Sequence, residues 1–212
     1  MNDYRFGDGL HIELTSRCRL ACPYCERTRC KGQYQVRDLP RQLVFRLVEN
    51  PKFKKIMLAG TLGDPIYHPC FLEIVEKIKQ SDKELRIATN GSGKTLAWWE
   101  KVFNRLDSRD RVCFGLDGLQ DTAHLYRVNT NFTRVFEAMK LGAAIRRATI
   151  EWQFIIFSFN QHQIEAAARL AHKSGIRFTL LQSGRFKSDD PLLPDLTLLP
   201  EALQKKLAKA GR

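Results

Sequence analysis

The chain has 212 residues, 43% of them hydrophobic and 27% charged, with 35 Lys and Arg against 23 Asp and Glu for a net charge of +12. That length suits one domain burying about 70% of its unfolded surface, and the composition excludes a low-complexity or fibrous protein. No stretch approaches the roughly 18 apolar residues of a membrane span, and the opening MNDYRFGDGLH lacks a secretory core, so the expectation is a cytoplasmic protein with no membrane partner.

In chain order, residues 10–15 predict a strand, and a cysteine-rich run follows it at once. A helix is expected over 39–48, a strand over 55–59, and a helix over 71–80, where Leu72, Val75 and Ile78 fall at helical spacing. Strand 85–89 leads to helix 95–105, strand 111–116 to helix 132–145, and strand 151–157 to helix 163–173. A last strand spans 177–181. Asn160 is expected to cap the helix after it, and Gly175 to close that helix. Near-continuous apolar strands alternating with helices imply a parallel sheet covered on both faces. Six β/α units are too few for a closed eight-stranded barrel, so the fold class is α/β, a partial (β/α)6 barrel over residues 1–187. Residues 188–212 hold Pro191, Pro194 and Pro200 and then a basic helix over 201–210, with Leu203 and Leu207 on one face. That helix reads as a cap on the barrel, with a nucleic-acid-contacting tail as the alternative.

In such folds ligands lie beyond the carboxyl ends of the strands, and the unusual residues fall there. Cys18, Cys22 and Cys25, spaced CxxxCxxC, follow the first strand. Gly60-Thr61-Leu62-Gly63-Asp64-Pro65 follows the second, Thr89-Asn90-Gly91 the third, and Asp117-Gly118 the fourth. Three thiolates suit an iron–sulfur cluster; a fully closed four-iron cluster takes four, so three leave one iron open. Cys30 makes four cysteines within 13 residues, the ingredient of a zinc site, but no second CxxC pair accompanies it. Cys70 and Cys113 read as small hydrophobes. Seven cations (Arg17, Arg19, Arg27, Arg29, Lys31, Arg37, Arg41) crowd this region against Glu26 and Asp38 alone, which suits either an anionic substrate such as a nucleotide, RNA or an acidic peptide or simply a soluble basic surface.

With Tyr24 before the third cysteine, the run CRLACPYC resembles the cluster motif of the radical S-adenosylmethionine (radical SAM) enzymes. The resemblance spans about residues 10–184. It implies a [4Fe-4S] cluster held by Cys18, Cys22 and Cys25, with S-adenosyl-L-methionine (SAM) chelating the open iron. One-electron cleavage of SAM then gives a 5′-deoxyadenosyl radical that abstracts hydrogen from an unidentified substrate. An external one-electron donor, flavodoxin- or ferredoxin-like, is implied with it.

Leu62-Gly63-Asp64-Pro65 stands where the family has Gly-Gly-Glu-Pro, which implies contact of Gly63, Asp64 and Pro65 with the SAM ammonium, through the backbone or through Asp64. Thr89 and Asn90 match the family's TNG segment. Phe114-Gly115-Leu116-Asp117-Gly118 is similar to its Ser-x-Asp-Gly turn with Gly115 in place of Ser, and Arg127 in HLYR matches a candidate partner for the SAM carboxylate. Gln153 interrupts the fifth strand and is expected to face SAM or substrate. The backbone around Tyr24 and the side chain of Leu181 are expected at the adenine. The likeness is to compact phage and bacterial members related to the peptide maturases, without their auxiliary-cluster domain, since no cysteine follows Cys113. The alternative from another class is a non-enzymatic zinc- or cluster-bearing nucleic-acid binder using the basic surface.

Overall fold

The computed structural model describes residues 9–30, 33–184, 189–201 and 203–205. Strands alternate with helices: β1 (Gly9–Ile12), α1 (Glu26–Arg29), α2 (Arg41–Glu49), β2 (Lys55–Leu58), α3 (Phe71–Gln80), β3 (Glu84–Thr89), α4 (Leu96–Phe103), β4 (Arg111–Gly115), α5 (Ala123–Tyr126), α6 (Phe132–Ile145), β5 (Thr149–Ile156), α7 (Ile164–Lys173) and β6 (Arg177–Gln182). All neighbouring strands are parallel and lie in sequence order, β1 to β6. Among the described residues β1 and β6 do not pair with each other, so the sheet is the open partial barrel expected.

Alternation along the strands divides the molecule into two compartments. Ile56 and Leu58, Leu85 and Ile87, Val112 and Phe114, and Trp152, Phe154 and Ile156 are fully buried in one cluster with residues of α3, α4, α6 and α7. Each large side chain so buried contributes about 1.5–3 kcal/mol. Trp99 of α4 packs on Phe114 with ring centroids 4.9 Å apart, and the Trp152 indole donates to the Leu116 carbonyl at 2.6 Å. Gly142 lets α6 approach: a Cβ there would lie 2.7 Å from Ile150 Cδ1 and 2.8 Å from Phe103 Cζ. Residues of the other phase, among them Ala88, Cys113, Gly115, Gln153 and Ile155, line a cavity inside the sheet.

Several boundaries differ from the sequence reading. The helix expected from residue 39 begins at Arg41, because the residue before a proline avoids the helical region and Pro40 serves as cap. Thr95 lies outside α4 and its side chain accepts from the Trp98 N–H at 3.2 Å. Asn160 does not cap α7. Its Oδ1 accepts from the Phe157 N–H at 2.8 Å and its Nδ2 donates to the Ile155 carbonyl at 3.0 Å, so this fully buried amide pins the end of β5 instead. A single 3-10 turn, Gln161–Gln163, then leads into α7.

Gly175 does close α7, at φ +67°. Its N–H bonds the His172 carbonyl at 3.0 Å, and the Ile176 N–H bonds the Ala171 carbonyl at 2.9 Å. The stretch 189–200 is irregular apart from a 3-10 turn at Leu196–Leu198. Most of the expected 201–210 helix, including Leu207, lies outside the described residues; Leu203 packs on the core. No helix among the described residues is long and apolar enough to cross a membrane.

Candidate active site at the carboxyl ends of the strands

The loops after β1 to β4 meet around a cavity of about 430 Å³. Cys18, Cys22, Cys25, Gly63, Asp64, Thr89, Asn90, Arg127, Gln153 and Leu181 all line it. Tyr24, Pro65 and Asp117 do not. Sequence reasoning missed Cys113 and Ile155 as lining residues. Period-two counting along β4 and β5 finds them, because Cys113 shares its face with Gly115, and Ile155 with Gln153.

The cysteine loop rests on an apolar floor of Leu20, Tyr126 and Phe157, with the Tyr126 and Phe157 rings 4.4 Å apart. The Ala21 N–H bonds the Val128 carbonyl at 3.1 Å, which ties the loop to the segment after α5. Burial pushes the Cys18 thiol up to about 11 and raises Cys22 as well. These sulfurs must shed protons to bind metal. No three described His, Cys, Asp or Glu side chains close on a single ion. Thiolates that each take a different iron need only face a common cavity, as these do. Cys30 instead points its sulfur at Glu26 Oε2, 3.9 Å away.

Asp64 organises the neighbouring loops. Its buried carboxylate accepts from the Ile66 N–H (3.2 Å), the Thr89 hydroxyl (2.9 Å) and the Asn90 N–H (2.6 Å) and Nδ2 (2.5 Å). Burial pushes this carboxyl up to about 6 against the opposing pull of those donors. The carboxylate is thus turned to the loop after β3, and the Thr89 hydroxyl is spent on it. Asn90 Nδ2 also reaches Cys18 Sγ at 3.4 Å. Gly63 is needed for close approach, since a Cβ there would lie 1.9 Å from the Thr15 carbonyl oxygen. Pro65 is the buried first residue of the 3-10 turn Pro65–Tyr67.

Across the cavity, Arg127 Nε donates to Asp117 Oδ2 at 2.7 Å, and Asp117 Oδ1 accepts from the Ile155 N–H at 2.8 Å. Burial is the largest single influence on the guanidinium and lowers its pKa, but the charges of Asp117 and then Cys22, with the Asp117 hydrogen bond, together raise it above its ordinary value. Gly115 makes the room: a Cβ there would sit 2.7 Å from Arg127 Nη2. Gln153 lies beside Gly115 in the sheet register, with its Nε2 3.2 Å from Glu151 Oε1. The Tyr24 hydroxyl leaves the cavity and donates to Asp190 Oδ2 at 2.5 Å. His124 is exposed on α5.

Comparison with known proteins agrees with this architecture. The chain is 31% identical over 87 residues to the tungsten-containing aldehyde ferredoxin oxidoreductase cofactor-modifying protein of Pyrococcus furiosus, covering 39% of this chain and 24% of that one. It is 30% identical over 149 residues to a probable GTP 3′,8-cyclase of Pyrococcus horikoshii, covering 68% and 45%. The fold matches Streptococcus suis SuiB bound to S-adenosylmethionine with TM-score 0.72 at 13% identity, over 97% of this chain and 47% of SuiB. SuiB bound to precursor peptide SuiA gives 0.74. The chain therefore spans between a quarter and about half the length of these relatives. Nothing among them favours the non-enzymatic alternative. The profile of the Radical SAM superfamily, whose members use a [4Fe-4S] cluster and SAM, matches residues 12–171, and the chain belongs to that superfamily.

Proposed function

We propose that this chain is a radical SAM enzyme in which Cys18, Cys22 and Cys25 hold a [4Fe-4S] cluster and the strand-end loops hold SAM at its fourth iron. One observation carries the reading: three thiols, the loops after three further strands and the guanidinium of Arg127 line one cavity. Together the cluster and SAM supply one-electron cleavage of the sulfonium and a 5′-deoxyadenosyl radical that takes hydrogen from the substrate.

The chain's own residues bind, orient and exclude water. With Asp64 engaged by Thr89 and Asn90, the backbone of Leu62 and Gly63 is left to accept the SAM ammonium. Arg127, its Nε held by Asp117, offers its terminal nitrogens to the SAM carboxylate, a pairing suited to a guanidinium fork. Asn90 donates toward the Cys18 sulfur and fixes that ligand. Gln153 and Leu181 form the inner wall for ribose and adenine, with the Tyr24 backbone at the adenine edge. Leu20, Tyr126 and Phe157 keep water from beneath the cluster. An external one-electron donor supplies the reducing equivalent, and the substrate, a peptide or a nucleotide, enters past Gln182, Ser183 and Gly184 on the cavity's rim.

Anaerobic reconstitution with iron and sulfide tests this directly. The wild type is expected to gain visible iron–sulfur absorbance and, with dithionite, to convert SAM to 5′-deoxyadenosine. Cys22→Ala is expected to lose both. A Cys22→Ala protein that retains full cleavage refutes the ligand assignment.

A further inference from the structure

Cys18 faces two cavities. One is the inner cavity described above. The other is a separate hollow of about 330 Å³ on the outer side of the cysteine loop, and among the described residues Cys18 alone lines both. Arg17, Arg19 and Arg27 wall the outer hollow together with Tyr67, and Val36, 56% exposed, adds an apolar edge. No carboxylate among the described residues lines it.

The charges there are only partly answered. Arg17 is paired with Asp38 at 3.0 Å, and Arg27 donates to the Leu20 carbonyl. Arg19 has no ion pair among the described residues. Lys94 lies close by, its ammonium 5.5 Å from the Tyr67 ring centroid and 4.7 Å from that of Trp98. Arg19 also lines the next cleft, of about 410 Å³, together with Arg134 and, among the described residues, again no carboxylate. Arg19 and Lys94, which carry no ion pair among the described residues, add like charge beside a metal ligand; such charges repel one another in the free protein, and an acidic partner relieves that repulsion.

We propose that this outer face is the docking surface of a small acidic flavoprotein that reduces the cluster from the Cys18 side. The proposal rests on the cluster reading above. Its step is a single electron transfer: the partner's reduced flavin loses one electron and the cluster gains it, with no bond formed or broken between the proteins. The apolar edge at Val36 beside the Tyr67 ring, collared by arginines, suits the dimethylbenzene edge of a flavin framed by carboxylates. An iron–sulfur protein covers its centre with a polar peptide loop and fits this seat less well. Delivery from outside leaves the inner cavity to SAM and substrate.

The test titrates oxidised flavodoxin into the reconstituted protein by calorimetry at several ionic strengths. Wild type is expected to bind with an affinity that falls steeply with salt. Arg19→Glu combined with Lys94→Glu is expected to weaken binding by about tenfold or more and to flatten the salt dependence. Val36→Glu, at an exposed position that leaves the fold intact, is expected to weaken it by several-fold. Lys173→Glu, at the far end of α7, is expected to stay within about twofold of wild type. An acidic [2Fe-2S] ferredoxin is expected to bind more weakly than flavodoxin. The proposal is overturned if the Arg19 and Lys94 reversals leave affinity unchanged, if Lys173→Glu weakens it equally, or if ferredoxin binds as tightly. SAM cleavage by wild type with dithionite separates the two readings, because its failure sinks the cluster assignment while its success alongside a failed titration sinks only the docking surface.

Discussion

Gly115 and Arg127 share one space. Position 115 takes no positive φ, so glycine is not required there by the backbone; it is required by the guanidinium packed 2.7 Å from where its Cβ would be. The sequence marks Gly115 as a lost hydroxyl relative to the family's Ser, and the structure gives the loss a cause, since a serine would push Arg127 off the Asp117 carboxylate. Gly115→Ser is therefore expected to weaken SAM binding by about tenfold, or about 1.4 kcal/mol, measured by equilibrium dialysis on the reconstituted protein. The double variant with Arg127→Ala is expected to lose little more than Arg127→Ala alone, because contacting residues couple. Additive losses would show that Gly115 acts without Arg127. The identity of these residues was readable from the chain, but the direction of Asp64 was not. A carboxylate in a strand-end loop looks available to ligand until Thr89 and Asn90, 25 and 26 residues away, are seen to occupy it.

At the scale of elements, the alternation of buried strands with amphipathic helices made all six strands legible, because a strand covered on both faces must be an apolar run whatever its partners. Loops were less so, since their side chains answer to distant backbone; Asn160 has the chemistry of a cap but meets the end of β5 first. The polar knot between α3 and the start of β4 was invisible for the same reason. Asp110, fully buried, accepts from Lys79 Nζ at 2.8 Å, the Leu85 N–H at 2.7 Å and the Asp107 N–H at 2.8 Å, and Lys79 also pairs with Asp107 at 2.7 Å. Lys79→Met leaves Asp110 as an uncompensated buried charge and is expected to cost about 3–5 kcal/mol in urea unfolding of the apoprotein. Hydrogen bonds from Arg109 and then Lys79 hold the Asp107 carboxyl well below the usual carboxylate range. A depressed carboxyl stabilises the fold above its unfolded value and loses that contribution as pH falls toward its folded one. Stability of wild type is thus expected to drop more steeply below about pH 4 than that of Asp107→Asn, and parallel acid limbs for the two proteins would contradict this.

Across the whole molecule, the irregular stretch beginning at residue 189 returns to the cysteine loop. The Tyr24 hydroxyl bonds Asp190, 166 residues later in the chain; the Ser158 N–H bonds the Leu192 carbonyl at 3.1 Å and the Ser158 hydroxyl bonds that of Pro191 at 2.7 Å. Leu192 packs with Tyr24, Cys18 and Cys25 against the apolar floor of the loop. This strap thus ties the segment after β6 to the cysteine loop and to the end of β5, while among the described residues β1 and β6 do not pair. A prolines-and-turns segment of this kind carries no periodic signal, so neither its path nor its anchor is written in the local sequence. Its consequence is kinetic. Iron leaves a cluster when its ligand loop opens, and the strap opposes that opening through one charge-assisted hydrogen bond and the Leu192 contact. Asp190→Ala and Tyr24→Phe are each expected to speed the loss of visible cluster absorbance in excess chelator by several-fold under anaerobic conditions, with the double variant no faster than either single one, since both cut the same bond. Bleaching at the wild-type rate in both single variants would mean that the strap lies over the loop without restraining it.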